Sequence, residues 1–211
     1  MVIVCAKTDT SAGAKGISLF LVDTSIAGFS TGKPIEKIGQ HSSDTAELFF
    51  DDCKVPVKNL IGPENTGFIA IMSNFESERL SLCVMANTTA EMAFEEWMKY
   101  VKTPEAFGRP IGKFQTKKHK LAEMATQIEA SKTFTYRLAA KMEAGKSVIK
   151  EISMAKNFAT NVSDKVTYDA VQIFGGMGFM RESTVERLYR DNRILAIGGG
   201  TYEIMNEVIA K

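Results

Sequence analysis

"TGFIAIMSNFESERLSLCVMANTTAEMAFEEWMKYVK", residues 66–102, carries the reading of the fold. Phe68, Met72, Phe75, Leu82, Ala86, Ala93, Trp97 and Val101 keep to one helical stripe, so the segment predicts a single long helix from about Thr66 to about Lys102. Pro104 stops it, because proline has no N–H to donate and its ring clashes with the preceding turn. A helix this long with one apolar stripe needs other helices to cover it.

Those helices follow downstream. Apolar spacings of three and four predict a second helix over about 115–143, with Gly145 as its stop, and a third over about 147–174, ending at "GGMG". "ESTVERLYRDNRILAI" predicts a shorter fourth and "TYEIMNEVIAK" a fifth. Upstream, "VIVCAKT", "GISLFLVD" and "TAELFFDDCKVP" are β-branched and aromatic runs broken by Gly, Asp, Ser and Pro, the pattern of short antiparallel strands. They are too few to close a barrel. The composition changes between Pro63 and Gly67. The expected fold is therefore mostly α: a partial antiparallel β-domain over 1–65, the remnant of a barrel, followed by an antiparallel up-and-down four-helix-type bundle over 66–211.

The 211 residues are 45% hydrophobic, enough for a sizeable core. Lys and Arg number 26 against 25 Asp and Glu, so no overall basic field attracts nucleic acid or an anionic membrane. Cys5, Cys53 and Cys83 lack C-x-x-C spacing, and with only two His residues they supply neither a disulfide framework nor a metal site. A reducing compartment is expected. The opening "MVIVCAKTD" is far too short an apolar run to span a bilayer, which takes roughly 20 residues.

Three features carry chemistry. Glu78 falls on a face with Ile71, Phe75, Leu82 and Met85, at spacings of 4, 3, 4 and 3, and so is expected to face the bundle interior or a cleft. Desolvation raises a carboxyl's pKa toward the range where a general base works. The bland alternative is a solvated Glu76-Ser77-Glu78 patch. Gly198, Gly199 and Gly200 precede Thr201 at the start of the last helix; one glycine is explained by a turn of positive φ, three in a row are not. Gly175 and Gly176 stop the third helix and would also let a ligand approach the backbone closely. The charges of "ERLYRDNRI" read as an ion-pair face.

"AFGRPIGKFQ" (106–115), "LAEMATQIEA" (121–130), "QIFGGMGFMRESTVERLYRDNRI" (172–194) and "GGGTYEIM" (198–205), in this order, resemble the acyl-CoA dehydrogenase flavoproteins. The front segment is similar to the second half of that family's middle β-domain, so the sequence looks like the C-terminal half of such an enzyme, inactive by itself. The resemblance implies FAD as cofactor and an acyl-CoA thioester as substrate. It also implies an electron-transfer flavoprotein as electron acceptor and a homo-oligomer, a dimer of dimers.

Many relatives carry the catalytic glutamate just before a Gly-Thr on the last loop, where this sequence has Gly199. The long-chain and isovaleryl branches place it on the first helix of the C-terminal domain before an arginine, and Glu78-Arg79 matches that position. The resemblance makes Glu78 the base that removes the α-proton, and the Gly199 backbone N–H a donor to the thioester carbonyl. It assigns Glu76 and Arg79 to the substrate side, Thr201 and Glu203 to the flavin of the same subunit, and Phe107, Gln172, Gly175 and Gly176 to the flavin of a neighbour. Pro104 stands where relatives carry an arginine toward the flavin pyrophosphate. A bacterial cytoplasm is the expected location, with a mitochondrial matrix as the alternative. Two competing readings are a non-catalytic oligomerisation scaffold and a flavin oxidase on the same fold.

Overall fold

A computed structural model describes residues 1–102, 105–106 and 108–211. Pro104 and Phe107 lie outside the described residues. The chain divides into two compact units, one of residues 1–37 and 41–75, the other of residues 38–40 and 76–211.

The first unit is a small antiparallel assembly. Strand β1 (Val2–Lys7) pairs with β2 (Ile17–Val22) from Val2 opposite Val22 to Lys7 opposite Ile17. The far edge of β2 carries β5 (Leu60–Ile61), and β3 (Phe29–Thr31) pairs separately with β4 (Leu48–Phe50). The expected third run, 45–56, contributes only the three residues of β4. β3 and β5 are too short to leave an alternating pattern in the sequence. Ser18 is buried; its hydroxyl accepts the Asn65 N–H at 2.7 Å and shares a hydrogen bond with Thr8 Oγ1 at 2.7 Å. Helix α1 (Gly67–Tyr100) starts against this strand, and a Cβ on Gly67 would come within 2.9 Å of the Ile17 carbonyl oxygen, so glycine is what lets the helix start so close.

The second unit is the helical one. α1 runs on through it, followed by α2 (Gln115–Glu143), α3 (Ile149–Phe174), α4 (Thr184–Asn192) and α5 (Tyr202–Ala210). A two-stranded turn of β6 (Glu105–Ala106) and β7 (Arg109–Pro110) lies between α1 and α2. Cross-helix pairs set the directions. Trp97 packs with Met124 and Ile128, and Cys83 and Ala86 with Leu138, so α2 descends as α1 rises. Lys141 meets Glu151, and Lys120 meets Asp169, so α3 rises again. This is the up-and-down bundle with the helix order read from the sequence. A buried polar set ties α1 to α2: Ser131 Oγ donates to Asn87 Oδ1 at 2.5 Å, and Asn87 Nδ2 donates to Thr135 Oγ1 at 2.9 Å.

Two expectations are corrected. Ala86, Ala93, Trp97 and Val101 of the expected stripe are buried, but the interior stripe of α1 is Arg79, Cys83, Ala86, Ala90, Ala93 and Trp97, at spacings of 4, 3, 4, 3 and 4, and Phe68, Met72 and Met85 are exposed. Small residues let α1 approach its neighbours closely, and the larger side chains one position away are left on the flank. The fourth helix ends at Asn192 and tightens into a 3₁₀ turn over Arg193–Ala196, which leads into the glycine run.

Candidate active site

Arg79 heads the buried stripe of α1 and is only 9% exposed. Its Nε donates to the Gly199 carbonyl oxygen at 3.0 Å, which brings the Glu78-Arg79 pair on α1 to the glycine run between α4 and α5. From α3 comes Lys156, 0% exposed, whose Nζ donates to the Gly200 carbonyl oxygen at 2.7 Å. Burial depresses the pKa of both cations; Glu78 and Glu76 act against this at Arg79, whereas Arg79 adds to it at Lys156. Glu78 itself is half-buried, at the edge of the interior stripe and not in it.

Gly199 and Gly200 have φ of +65° and +107°, a region that costs other residues roughly 1–2 kcal/mol each. A Cβ on Gly199 would also stand 2.7 Å from Leu82 Cδ1, the flexible end of a side chain on α1. Both facts favour glycine at the loop position. Beyond the loop, Thr201 is the N-cap of α5: its Oγ1 accepts the Ile204 N–H at 3.3 Å. Glu203 is exposed, and its own backbone N–H, then a Thr201 hydrogen bond, lower its carboxyl pKa.

Glu76 has a structural partner. Its Oε1 accepts the Val148 N–H at 2.7 Å, and Val148 is the N-cap residue of α3, which lacks a side-chain cap of its own. A carboxylate there satisfies an otherwise open donor and complements the positive end of the helix.

Gln172, Gly175 and Gly176 sit at the other end of α3. Sixteen residues separate Lys156 from Gln172 (172 − 156), about 24 Å along a helix, so within one chain these residues and the Gly199 loop do not line one small pocket. Gln172 is exposed, and Gly175 has φ +57° with its N–H donating to the Gln172 carbonyl, a helix stop. A Cβ on Gly175 or Gly176 would meet nothing within 4 Å, whereas one on Gly178 would strike the Val171 carbonyl oxygen at 2.5 Å. Packing within the chain explains Gly178 but not the Gly175-Gly176 pair.

The sequence reading missed Lys156 and Cys83. The signal was present: Ile152, Lys156, Ala159, Ser163, Val166 and Ala170 form the buried stripe of α3 at spacings of 4, 3, 4, 3 and 4, with one lysine in it. Burial pushes the Cys83 thiol up to about 12, with Lys156 pulling the other way. In a native chain, a thiol reagent is expected to label exposed Cys5 in seconds to minutes and to spare Cys83 until denaturant is added; mass spectrometry of the labelled peptides reads this directly. Prompt native labelling of Cys83 would show that α1 opens. Among the described residues, no group of three or more His, Cys, Asp or Glu side chains could hold a metal ion, and no helix is long and apolar enough to cross a membrane.

A family model of the acyl-CoA dehydrogenase C-terminal domain matches residues 65–211. The chain is 42% identical over 209 residues to a 3-(aryl)acrylate reductase of Clostridium sporogenes, covering 99% of the chain and 55% of that protein. It is 42% identical over 213 residues to the mitochondrial long-chain specific acyl-CoA dehydrogenase of Sus scrofa, covering 100% of the chain and 50% of that protein. The crystal structure of an acyl-CoA dehydrogenase from Geobacillus kaustophilus superposes with a TM-score of 0.96 at 43% identity, covering 99% of the chain and 55% of that structure. The chain thus spans about half the length of the relatives it matches. With its helical order, its glycine run and these likenesses in agreement, the chain belongs to the acyl-CoA dehydrogenase family.

Proposed function

We propose that residues 1–65 are part of the middle β-domain and residues 66–211 the C-terminal helical domain of an FAD-dependent acyl-CoA dehydrogenase that uses Glu78 as its base. The observation that carries the reading is the Arg79–Gly199 hydrogen bond, which places the Glu78-Arg79 pair beside the loop where other relatives carry their glutamate. In the proposed reaction the α-C–H bond breaks and its proton goes to a Glu78 carboxylate oxygen, the β-hydrogen leaves with its electron pair, and the C=C bond forms between the two carbons. When bound, FAD supplies the two-electron acceptor for that hydride. The N–H of Gly199 has no acceptor among the described residues, so it is available to the thioester oxygen as enolate charge develops.

The residues fit such a cofactor at two places. Gly175 and Gly176 leave open space over their backbone, which suits close approach by a neighbouring subunit's flavin together with Gln172 and Phe107. Thr201 and Glu203 serve the flavin of their own subunit. Glu76, fixed on α3, and Arg79 shape the acyl-CoA side. Electrons pass to an electron-transfer flavoprotein, the assembly is a dimer of dimers, and the location is a bacterial cytoplasm.

The test joins the chain to the N-terminal half of the Geobacillus relative and follows acyl-CoA-dependent bleaching of the flavin absorption and dye reduction. Because one relative is named a reductase, the enoyl-CoA direction is assayed as well. Bound flavin with no bleaching by any thioester would sink the dehydrogenase reading and leave the oligomerisation scaffold.

A further inference from the structure

Three consecutive glycines have no side chains with which to hold a conformation, and glycine loses more freedom on ordering than any other residue. The Gly198 N–H is held locally on the Ile194 carbonyl at 2.8 Å, and the carbonyls of Gly199 and Gly200 are held from other helices. Among the described residues, the side chains that donate to its carbonyls are two buried cations from two different helices, Arg79 to Gly199 at 3.0 Å and Lys156 to Gly200 at 2.7 Å.

Lys156 is the harder of the two to explain by stability. Its ammonium is fully buried, and among the described residues the charged and titratable groups that act on it are the like charge of Arg79 and the thiol of Cys83, with no carboxylate. A buried cation without a counter-ion destabilises a fold, and a methionine of similar length would fill the same space without that cost. The partner it does have is a carbonyl of the loop that the proposed reaction uses. Glu78 and Glu76 both act on Arg79, so Arg79 has carboxylates to balance it whereas Lys156 does not.

We propose that Lys156 is a positioning residue of the site: with Arg79 it clamps two successive carbonyls of the glycine loop and holds the Gly199 N–H in place for the substrate's thioester oxygen. A trans peptide points its C=O and N–H in opposite directions. Fixing the Gly199 and Gly200 carbonyls on the cations therefore turns the N–H groups of Gly200 and Thr201 away from them; the Gly198 N–H is held on the Ile194 carbonyl at 2.8 Å, so the peptide between, which carries the Gly199 N–H, is held from both sides. The clamp has a second effect. As the α-proton moves to Glu78, negative charge moves from its carboxylate to the thioester oxygen, and the Lys156 ammonium, held on the Gly200 carbonyl, adds positive potential at the loop that favours that transfer.

The inference rests on the Glu78 reading for its chemistry but not for its geometry, and the experiment separates the two. Backbone ¹⁵N relaxation on the 211-residue chain, without flavin, reads the order of Gly199, Gly200 and Thr201. Lys156→Met is expected to lower their order parameters from about 0.85 to below about 0.6 while the melting temperature holds or rises. Lys156→Gln, neutral but still a donor, is expected to keep the loop ordered. In the polypeptide completed with the Geobacillus half, Lys156→Met lowers kcat about tenfold to a hundredfold with KM within about threefold, and Lys156→Gln has the smaller effect. Unchanged loop order in both variants overturns the clamp, as does a fall in melting temperature that accompanies the kcat loss in both. Full turnover in Glu78→Gln would remove the base assignment instead, and the relaxation result would still decide the clamp.

Discussion

Replacing Glu78 with Gln in the completed polypeptide is expected to lower acyl-CoA-dependent dye reduction by about 10²–10⁴-fold, the usual contribution of a positioned general base. Glutamine keeps the shape and hydrogen-bonding reach of the side chain and removes only its basicity. The neighbouring Arg79 remains on the Gly199 carbonyl, so flavin content and the circular dichroism of the helices should not change. KM should move little, since the carboxylate acts in the transition state and not in binding. Turnover within tenfold of the parent would mean that the base lies elsewhere. Moving a carboxylate to the loop, as Glu78→Gln with Gly199→Glu, is not expected to restore the rate. Any side chain at 199 must adopt φ +65°, and its Cβ starts 2.7 Å from Leu82 Cδ1.

How much of this was legible in the sequence depends on the size of the signal. The long helices were, because proline and glycine punctuate them: α2 ends one residue before the Ala144 cap, with Gly145 at φ +70°, and α3 stops at Gly175. The face of α1 was legible in part: Ala86, Ala93, Trp97 and Val101 are buried as the stripe requires, and its first turns are not. Large residues such as Phe68, Met72 and Met85 dominate a hydrophobic count, yet the buried stripe is built from Cys83, Ala86, Ala90 and Ala93, whose small side chains matter for how closely helices approach and weigh little on any hydropathy scale. The same bias hid the site's cations. Arg79 enters the sequence reading only through the resemblance, on the substrate side beside Glu78, and Lys156 does not enter it, although each occupies a position of a 4-3-4-3 stripe whose other members are apolar or small.

A charge in an otherwise buried stripe is a local conflict that folding alone does not favour, and such conflicts concentrate where a site is built. Glu76 illustrates a different ambiguity. A capping carboxylate and a substrate-side carboxylate look alike in sequence, and the Val148 contact shows that this one holds the start of α3. Thr201 is ambiguous for the same reason: it is the N-cap of α5, and the flavin contact proposed for it would use the same hydroxyl.

The stability of the second unit should depend most on Trp97. It is 0% exposed and sits where α1, α2, α3 and α4 meet, among Val101, Met124, Ile128, Val166 and Val185. Trp97→Ala removes the largest buried side chain and leaves a cavity that four helices cannot all close on, so it is expected to cost about 3–5 kcal/mol. At about 2–4 °C per kcal/mol for a chain of this size, that is a fall of about 6–20 °C in the calorimetric transition of the helical unit. Its indole Nε1 is buried without a hydrogen-bond partner among the described residues, so the polar atom contributes nothing that a hydrocarbon ring would lose. Trp97→Phe should therefore cost clearly less than half as much, with only the smaller ring volume to account for it. Equal losses in the two variants would show that Nε1 has a partner, a bridging water included, and that the energetics of this core are polar as well as steric.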